Sequence, residues 1–200
     1  LVMGLTQGLV GIDKASACAP SAGIAELYIA NANDITGVTF ANTTGDFTID
    51  GVDFASAYFE RIHAHNNGIM INITDERLDN GSARVNIEAE IDILDPDGTK
   101  RRALDDIRNV CRLVIAARTW SGKWFIYGID SYTEVDSGGA ETHLYYNGAD
   151  DNRDRGVEGS TLFVAKFAGT MRELPYIYTG SGDSATTDEN KRNYLTTGTP

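Results

Sequence analysis

Two hundred residues, 42% hydrophobic and 23% charged, are enough for one domain with a sizeable core and too few for two comfortable ones. A formal charge of -12 argues against a nucleic-acid grip or an anchor on anionic membrane, since both need clustered Lys and Arg against phosphate. Only Cys18 and Cys111 occur, far apart and without a C-x-x-C spacing, so no disulfide framework or zinc ribbon is written here and a reducing compartment is expected.

The chain begins at Leu1, so at least an initiator Met is expected to be missing. The opening LVMGLTQGLV lacks a basic n-region and a cleavage pattern, and no stretch approaches a membrane span, so neither secretion nor membrane crossing is expected. Residues 1–22 keep no sustained period and read as an arm that docks on something. From GIAELYIANA the character turns to strands. ITGVTF and GDFTIDGVDF follow, and in the second the apolar phase shifts from Phe47/Ile49 to Val52/Phe54 across Gly51, as a bulge or bend requires. AYFERIHAH is extended too. Its His63 and His65 share a strand face that would suit a metal, but no third ligand is legible, so the plainer reading is two half-exposed histidines and no metal site.

RVNIEAEIDI is two-faced: Val85, Ile87, Ala89, Ile91 and Ile93 on one side of a strand, Asn86, Glu88, Glu90 and Asp92 on the other. Same-face neighbours sit roughly 7 Å apart, so three carboxylates in a row repel one another and need a wet surface. The preceding GIMINITDERL alternates as well, and the loop between fixes the register. A two-residue Asn80-Gly81 turn would set Ile73 opposite Glu88, which puts oil and acid on one face. A three-residue loop, Asp79-Asn80-Gly81 with Gly81 left-handed, instead predicts Ile73 opposite Ile87, Ile71 opposite Ala89 and Glu76 opposite Arg84.

DPDGTKRRALDDIRNV reads as a turn and then the only convincing helix, capped by Asp97 or Thr99, with Leu104, Ile107, Val110 and Cys111 as its apolar stripe. Lys100, Arg101 and Arg102 in its first turn oppose the helix dipole; a solvated patch is one account, contact with acid on an adjacent copy the sharper one. CRLVIAARTWSGKWFIYGID is a hairpin about Ser121-Gly122, placing Arg118 opposite Phe125 and Thr119 opposite Trp124, with both faces largely apolar. Residues 137–159, polar and Gly-rich, read as an inserted loop that meets a neighbour. A last long strand, STLFVAKFAGTMREL, ends at Pro175, and residues 179–200 read as a polar tail with too few apolar residues to fold alone.

DPDGT and NGADDNRD carry oxygen ligands of the kind calcium takes, without the full twelve-residue loop. Glu88, Glu90 and Asp92 could be catalytic carboxylates only by spacing that many solvated strands share. No nucleophile motif, phosphate loop or dinucleotide fingerprint is present, so neither an enzyme nor a cofactor is expected.

The order of elements over residues 23–178, with RLVIAARTWSGKWFIYGID and then GSTLFVAKFAGTMRELPYIY, resembles the tail tube proteins of tailed bacteriophages, in particular those whose last strand runs into Met, acid and Pro, here Met171, Glu173 and Pro175. The resemblance implies a mainly β fold, a β-sandwich or barrel of antiparallel strands with one flanking α-helix, a long hairpin and extended arms. It implies homo-hexameric rings stacked into a hollow tube in the virion tail, assembled in the host cytoplasm. The other partners would be tape-measure, terminator or baseplate proteins and passing double-stranded DNA, with no membrane. Glu88, Glu90 and Asp92 would then face the lumen, where a basic wall would hold phosphate and an acidic one lets it slide, and Lys100, Arg101 and Arg102 would serve inter-subunit contacts. The long 137–159 segment and the polar tail depart from the simplest members. Alternatives are a neck, tail-terminator or head decoration protein, or a carbohydrate-binding β-sandwich stacking sugars on Trp120, Trp124, Tyr145 and Tyr146.

Overall fold

The computed structural model of the chain describes residues 23–41, 47–55, 57–64, 68–78, 83–94, 98–131, 144–152 and 162–199. The arm 1–22, the turn Asp79-Asn80-Gly81, His65 and the side chains of Thr99 and Lys100 lie outside the described residues.

A run of consecutive apolar residues predicts a strand covered on both faces. Strand β7, Leu113–Thr119, meets that description, for Leu113 through Ala117 are each at most 1% exposed. β1 (Ile24–Asn31) pairs antiparallel along one of its edges and β8 (Trp124–Tyr127) along the other. Leu113, Ile115 and Ala117 enter one core with Leu27, Ile29 and Tyr127. Val114 and Ala116 enter a second with Tyr28, Trp124 and Ile126.

The first core is covered by a limb of four antiparallel strands in the order β9 (Leu144–Asn152), β10 (Leu162–Met171), β6 (Ala83–Leu94) and β5 (Ile69–Arg77). Val85, Ile87, Ile91, Phe167 and Met171 come from this limb, and α1 (Gly98–Arg108) adds Leu104, with Ile107 and Val110 half-buried against it. The second core is framed by β2 (Ile35–Phe40), β3 (Thr48–Phe54) and β11 (Tyr176–Tyr178), while β4 (Glu60–Ile62) extends β1. The described residues form a mainly β fold, one eleven-stranded sheet whose two limbs face each other across the first core, with flanking helices. β11 pairs with β3 in parallel, so the sheet is mixed and not wholly antiparallel as expected. Cys111, expected in the stripe of α1, is exposed beyond the helix end.

The β5–β6 register is the expected one: Ile73 faces Ile87, Ile71 faces Ala89, and Glu76 faces Arg84 in a 2.8 Å ion pair. The second hairpin differs by one residue from expectation. Arg118 faces Trp124 and Ala117 faces Phe125, because its loop has three residues, Trp120-Ser121-Gly122, with Gly122 at φ 83°. Thr119 locks that loop, its Oγ1 accepting from the Lys123 N–H at 3.1 Å. In β3 the expected bulge or bend is a bulge: Thr39 pairs with Gly51 but Phe40 with Ile49, leaving Asp50 extra so that Ile49 and Val52 both reach the core.

Two segments depart further. Residues 137–159, read as an inserted loop, contain β9, eight of whose residues pair with β10. Of residues 179–200, read as a polar tail, residues 179–199 fold onto the second core as a loop and a second helix, α2 (Asp188–Thr197). The loop grips the β3 bulge, where Asp183 accepts from the Val52 N–H at 3.1 Å and from Tyr178 Oη at 2.7 Å. A Cβ on Gly51 would come within 2.7 Å of that carboxylate. α2 starts at Thr187, whose Oγ1 accepts from Asn190 N–H, and stops at left-handed Gly198. It supplies one fully buried apolar side chain, Leu195. Polar bonds add to this hold: the Phe59 N–H donates to the Leu195 carbonyl at 2.8 Å, Arg192 donates to both oxygens of buried Glu26 at 2.6–3.0 Å, and Asp188 accepts from Arg118 and from the Trp124 indole.

Burial pushes the Glu26 carboxyl up, but the Arg192 and Tyr28 hydrogen bonds and the Arg192 charge outweigh it, leaving it below the ordinary glutamate range. A carboxyl depressed in the folded state stabilises the fold above its unfolded value, and that stability is lost as pH falls through the folded one. Asp183, raised by burial, has the opposite sign in the window just above the usual aspartate range. Replacing Arg192→Gln should therefore cost about 2 kcal/mol at neutral pH. It should also flatten the acid limb of melting temperature against pH, measured by circular dichroism; an acid limb as steep as wild type would remove Arg192 from this role.

A candidate assembly surface with an open acidic face

The four-stranded limb buries one face and leaves the other open. Across the open face the register sets Met70, Glu90, Lys166 and Gly148 in one row and Asn72, Glu88, Ala168 and Tyr145 in the next. A third row joins Asp92, Val164 and Asp150. Glu88 is exposed, and Glu90 and Asp92 are half-buried at the surface, all on the side away from the core residues Ile87, Ala89, Ile91 and Ile93. The acid row is not bare, since Lys166 Nζ lies 3.9 Å from Glu90 Oε1 and 2.6 Å from Asp150 Oδ2. The Asp150 hydrogen bond raises the Lys166 pKa, so the ammonium is charged. Glu76, Glu88, Glu90, Asp92 and Asp150 on this face thus outnumber Arg84 and Lys166.

Both edges of the limb are largely unpaired among the described residues. β5 has β6 on one side and no strand on the other, and β9 meets β7 only where Leu113 pairs with Leu144. An open edge offers a row of free N–H and C=O groups to another chain. Large apolar side chains stand at these same edges: Met70 and Ile73 on β5 are 47% and 44% exposed, and Tyr145 on β9 is 48% exposed. Ile73 lies on the core side of the sheet, yet the far half of β5 runs past the core and leaves it uncovered.

Arg101 and Arg102 are exposed on α1, in the same helix as Lys100. The Met-x-Glu-x-Pro run proves to be a clasp between β10 and β11. Met171 Sδ accepts from the Gly128 N–H at 3.2 Å. Glu173 accepts from Ser131 N–H at 2.8 Å, Ser131 Oγ at 2.9 Å and Tyr176 Oη at 2.6 Å. Burial, followed by its own hydrogen bond to Glu173, pushes the Tyr176 phenol up to about 12.

The other sequence candidates are dispersed. His63 is exposed after β4, and among the described residues no group of three His, Cys, Asp or Glu could hold a metal ion. Asn147–Asn152 of the NGADDNRD run is strand and not a calcium-type loop. Trp124, offered as a sugar-stacking surface aromatic, is 1% exposed and bonded to Asp188 through its indole, and Tyr146 packs edge-on against Phe167 in the core. No helix among the described residues is long and apolar enough to cross a membrane. Lys166, Asp150, Met70 and Tyr145 are surface residues whose grouping depends on pairing between distant strands. Only the alternation of β10, with Lys166 between Ala165 and Phe167, hinted at an outward lysine. A scan of family models and searches of curated proteins and solved structures return no match to this chain.

Glu173→Ala should destabilise the fold by roughly 1–3 kcal/mol, because the Ser131 N–H and Tyr176 hydroxyl lose their acceptor. Chemical denaturation measures it, and an unchanged midpoint would mean that the clasp does not hold β11.

Proposed function

We propose that the chain is a virion structural subunit, the tail tube protein of a tailed bacteriophage. Copies would join edge to edge into a ring, rings would stack into a tube, and the open face of the limb would line the bore. The observation that carries this reading is a limb with two edges largely unpaired among the described residues, one buried face and one acidic face at the surface. Pairing β5 of one copy with β9 of the next is a head-to-tail contact, which closes into a ring when the rotation permits and uses the backbone groups both edges leave over. Met70, Ile73 and Tyr145 would be covered in that seam. The β-rich fold with its flanking α1 agrees with such a subunit.

In a closed ring the carboxylates would repeat around a channel. Duplex DNA carries a charge roughly every 1.7 Å of axis, so a net negative wall gives it no station at which to stop. Screening confines the repulsion to roughly 8 Å at physiological salt, which suits a narrow bore and does little on an open surface. Lys100, Arg101 and Arg102 on α1 would meet acid on an adjacent copy, in a chain whose excess charge is negative. No catalytic group or cofactor enters this scheme.

Concentrated protein should form rings or tubes in negative-stain micrographs, and Met70→Lys/Ile73→Lys should abolish them while leaving the melting temperature within a few degrees, since both side chains are exposed. Wild-type protein that remains monomeric by light scattering at high concentration would overturn the proposal. Rings that never stack would favour a neck or terminator role.

Replacing Glu88, Glu90 and Asp92 by Lys should leave ring formation in place and impair genome delivery, scored by plating and DNA-release assays on phage carrying the variant. Normal delivery with the reversed charges would remove the lumen role from these three residues.

A further inference from the structure

Lys166 stands in the middle of the open face with a carboxylate on either side, and the chain is locally distorted to bring one of them there. Tyr146 pairs with Phe167, and an unbroken ladder in that phase would set Asp150 opposite Phe163, on the core side. Asn147 is instead an extra residue, so that Lys166 pairs with Gly148 and Val164 with Asp150. The shift turns Asp150 onto the open face, diagonal to Lys166, while Leu144 and Tyr146 keep their places in the core. Gly148, paired with Lys166, sits at φ 110°, a backbone conformation at the bulge that glycine adopts without strain. A bulge within a long strand interrupts the ladder and re-aims a side chain, whereas an exposed ion pair adds little stability by itself.

We propose that Asp150 and Glu90 mask Lys166, holding its ammonium down so that a polyanion moving over this face meets no free cation. Duplex DNA is that polyanion under the conduit reading, on which this inference rests. Every copy in a ring would otherwise present a lysine at the same height, and a ring of free ammonium groups would grip the phosphates that the surrounding acids repel.

Two measurements on the full chain separate the mask from the conduit. Labelling with a limiting amine-reactive ester, read by peptide mass spectrometry, should be slower at Lys166 than at the exposed Lys123 and should rise roughly threefold or more in Asp150→Asn/Glu90→Gln. Equal rates at the two lysines in wild type overturn the mask whether or not the chain assembles. Fluorescence anisotropy with a short labelled DNA duplex should show that double variant binding roughly tenfold tighter than wild type at low salt, with the gain disappearing as salt is raised. Adding Lys166→Gln should erase the gain; no gain, or one that survives Lys166→Gln, overturns the proposal. A wild-type chain that forms no rings while both lysine results hold would remove the conduit and leave the masking of Lys166 standing.

Discussion

A strand buried on both faces keeps its place only if both edges are hydrogen-bonded and both faces are covered. β7 imposes that condition on everything around it. β1 and β8 satisfy its edges, and the four-stranded limb with α1 covers one face. The other face needs a cover of its own, which is why the polar C-terminal segment is ordered. Leu195 supplies the apolar plug, and Arg192 and Asp188 fasten it to Glu26, Arg118 and Trp124 on the strands beneath. A helix this polar would not hold its shape in water alone. It holds here because its charged groups meet partners already fixed by the sheet.

Parity accounts for most of what the sequence disclosed. Side chains alternate along a strand, so requiring oil to face oil was enough to choose the β5–β6 register without seeing the turn. The same requirement left β7–β8 underdetermined, since Arg118 against Phe125 and Arg118 against Trp124 both put a mixed pair on one face. Its three-residue loop is set by Gly122 and Thr119, local turn chemistry that the two-residue reading overlooked. α2 was missed for a different reason. Thr187 before two acids and Gly198 after the last turn are ordinary cap signals, but the low apolar count outweighed them, and its partners Glu26 and Arg118 lie far away in sequence. The candidate surface divided likewise: the acid row of Glu88, Glu90 and Asp92 follows from alternation in one strand, while its neighbour Lys166 and the open edges of β5 and β9 follow from long-range strand order.

The two bulges make the same distinction within a single motif. At Asp50 the apolar residues on either side change phase, from Ile49 to Val52, so the insertion leaves a mark in the hydrophobic pattern. At Asn147 the residues beyond are Gly148, Ala149, Asp150 and Asp151, which carry almost no apolar phase to break. Asn147-Gly148, followed by a polar run, then looks like a turn. Both insertions meet a structural demand, since one lets Ile49 and Val52 reach the same core and the other keeps Tyr146 inside while sending Asp150 out.

How a β-strand tolerates three acids in a row is settled by what lies beside them. The cross-strand neighbours are Asn72 and Ala168 for Glu88, Met70 and Lys166 for Glu90, and Val164 for Asp92. Directly opposite pairs matter most in a sheet, and none of these is acid against acid. Repulsion therefore acts only along β6, at the roughly 7 Å spacing of alternate residues and through water. Such a row costs an isolated subunit little. It becomes consequential when a second negative surface comes within a screening length, roughly 8 Å at physiological salt, as the proposed ring would arrange.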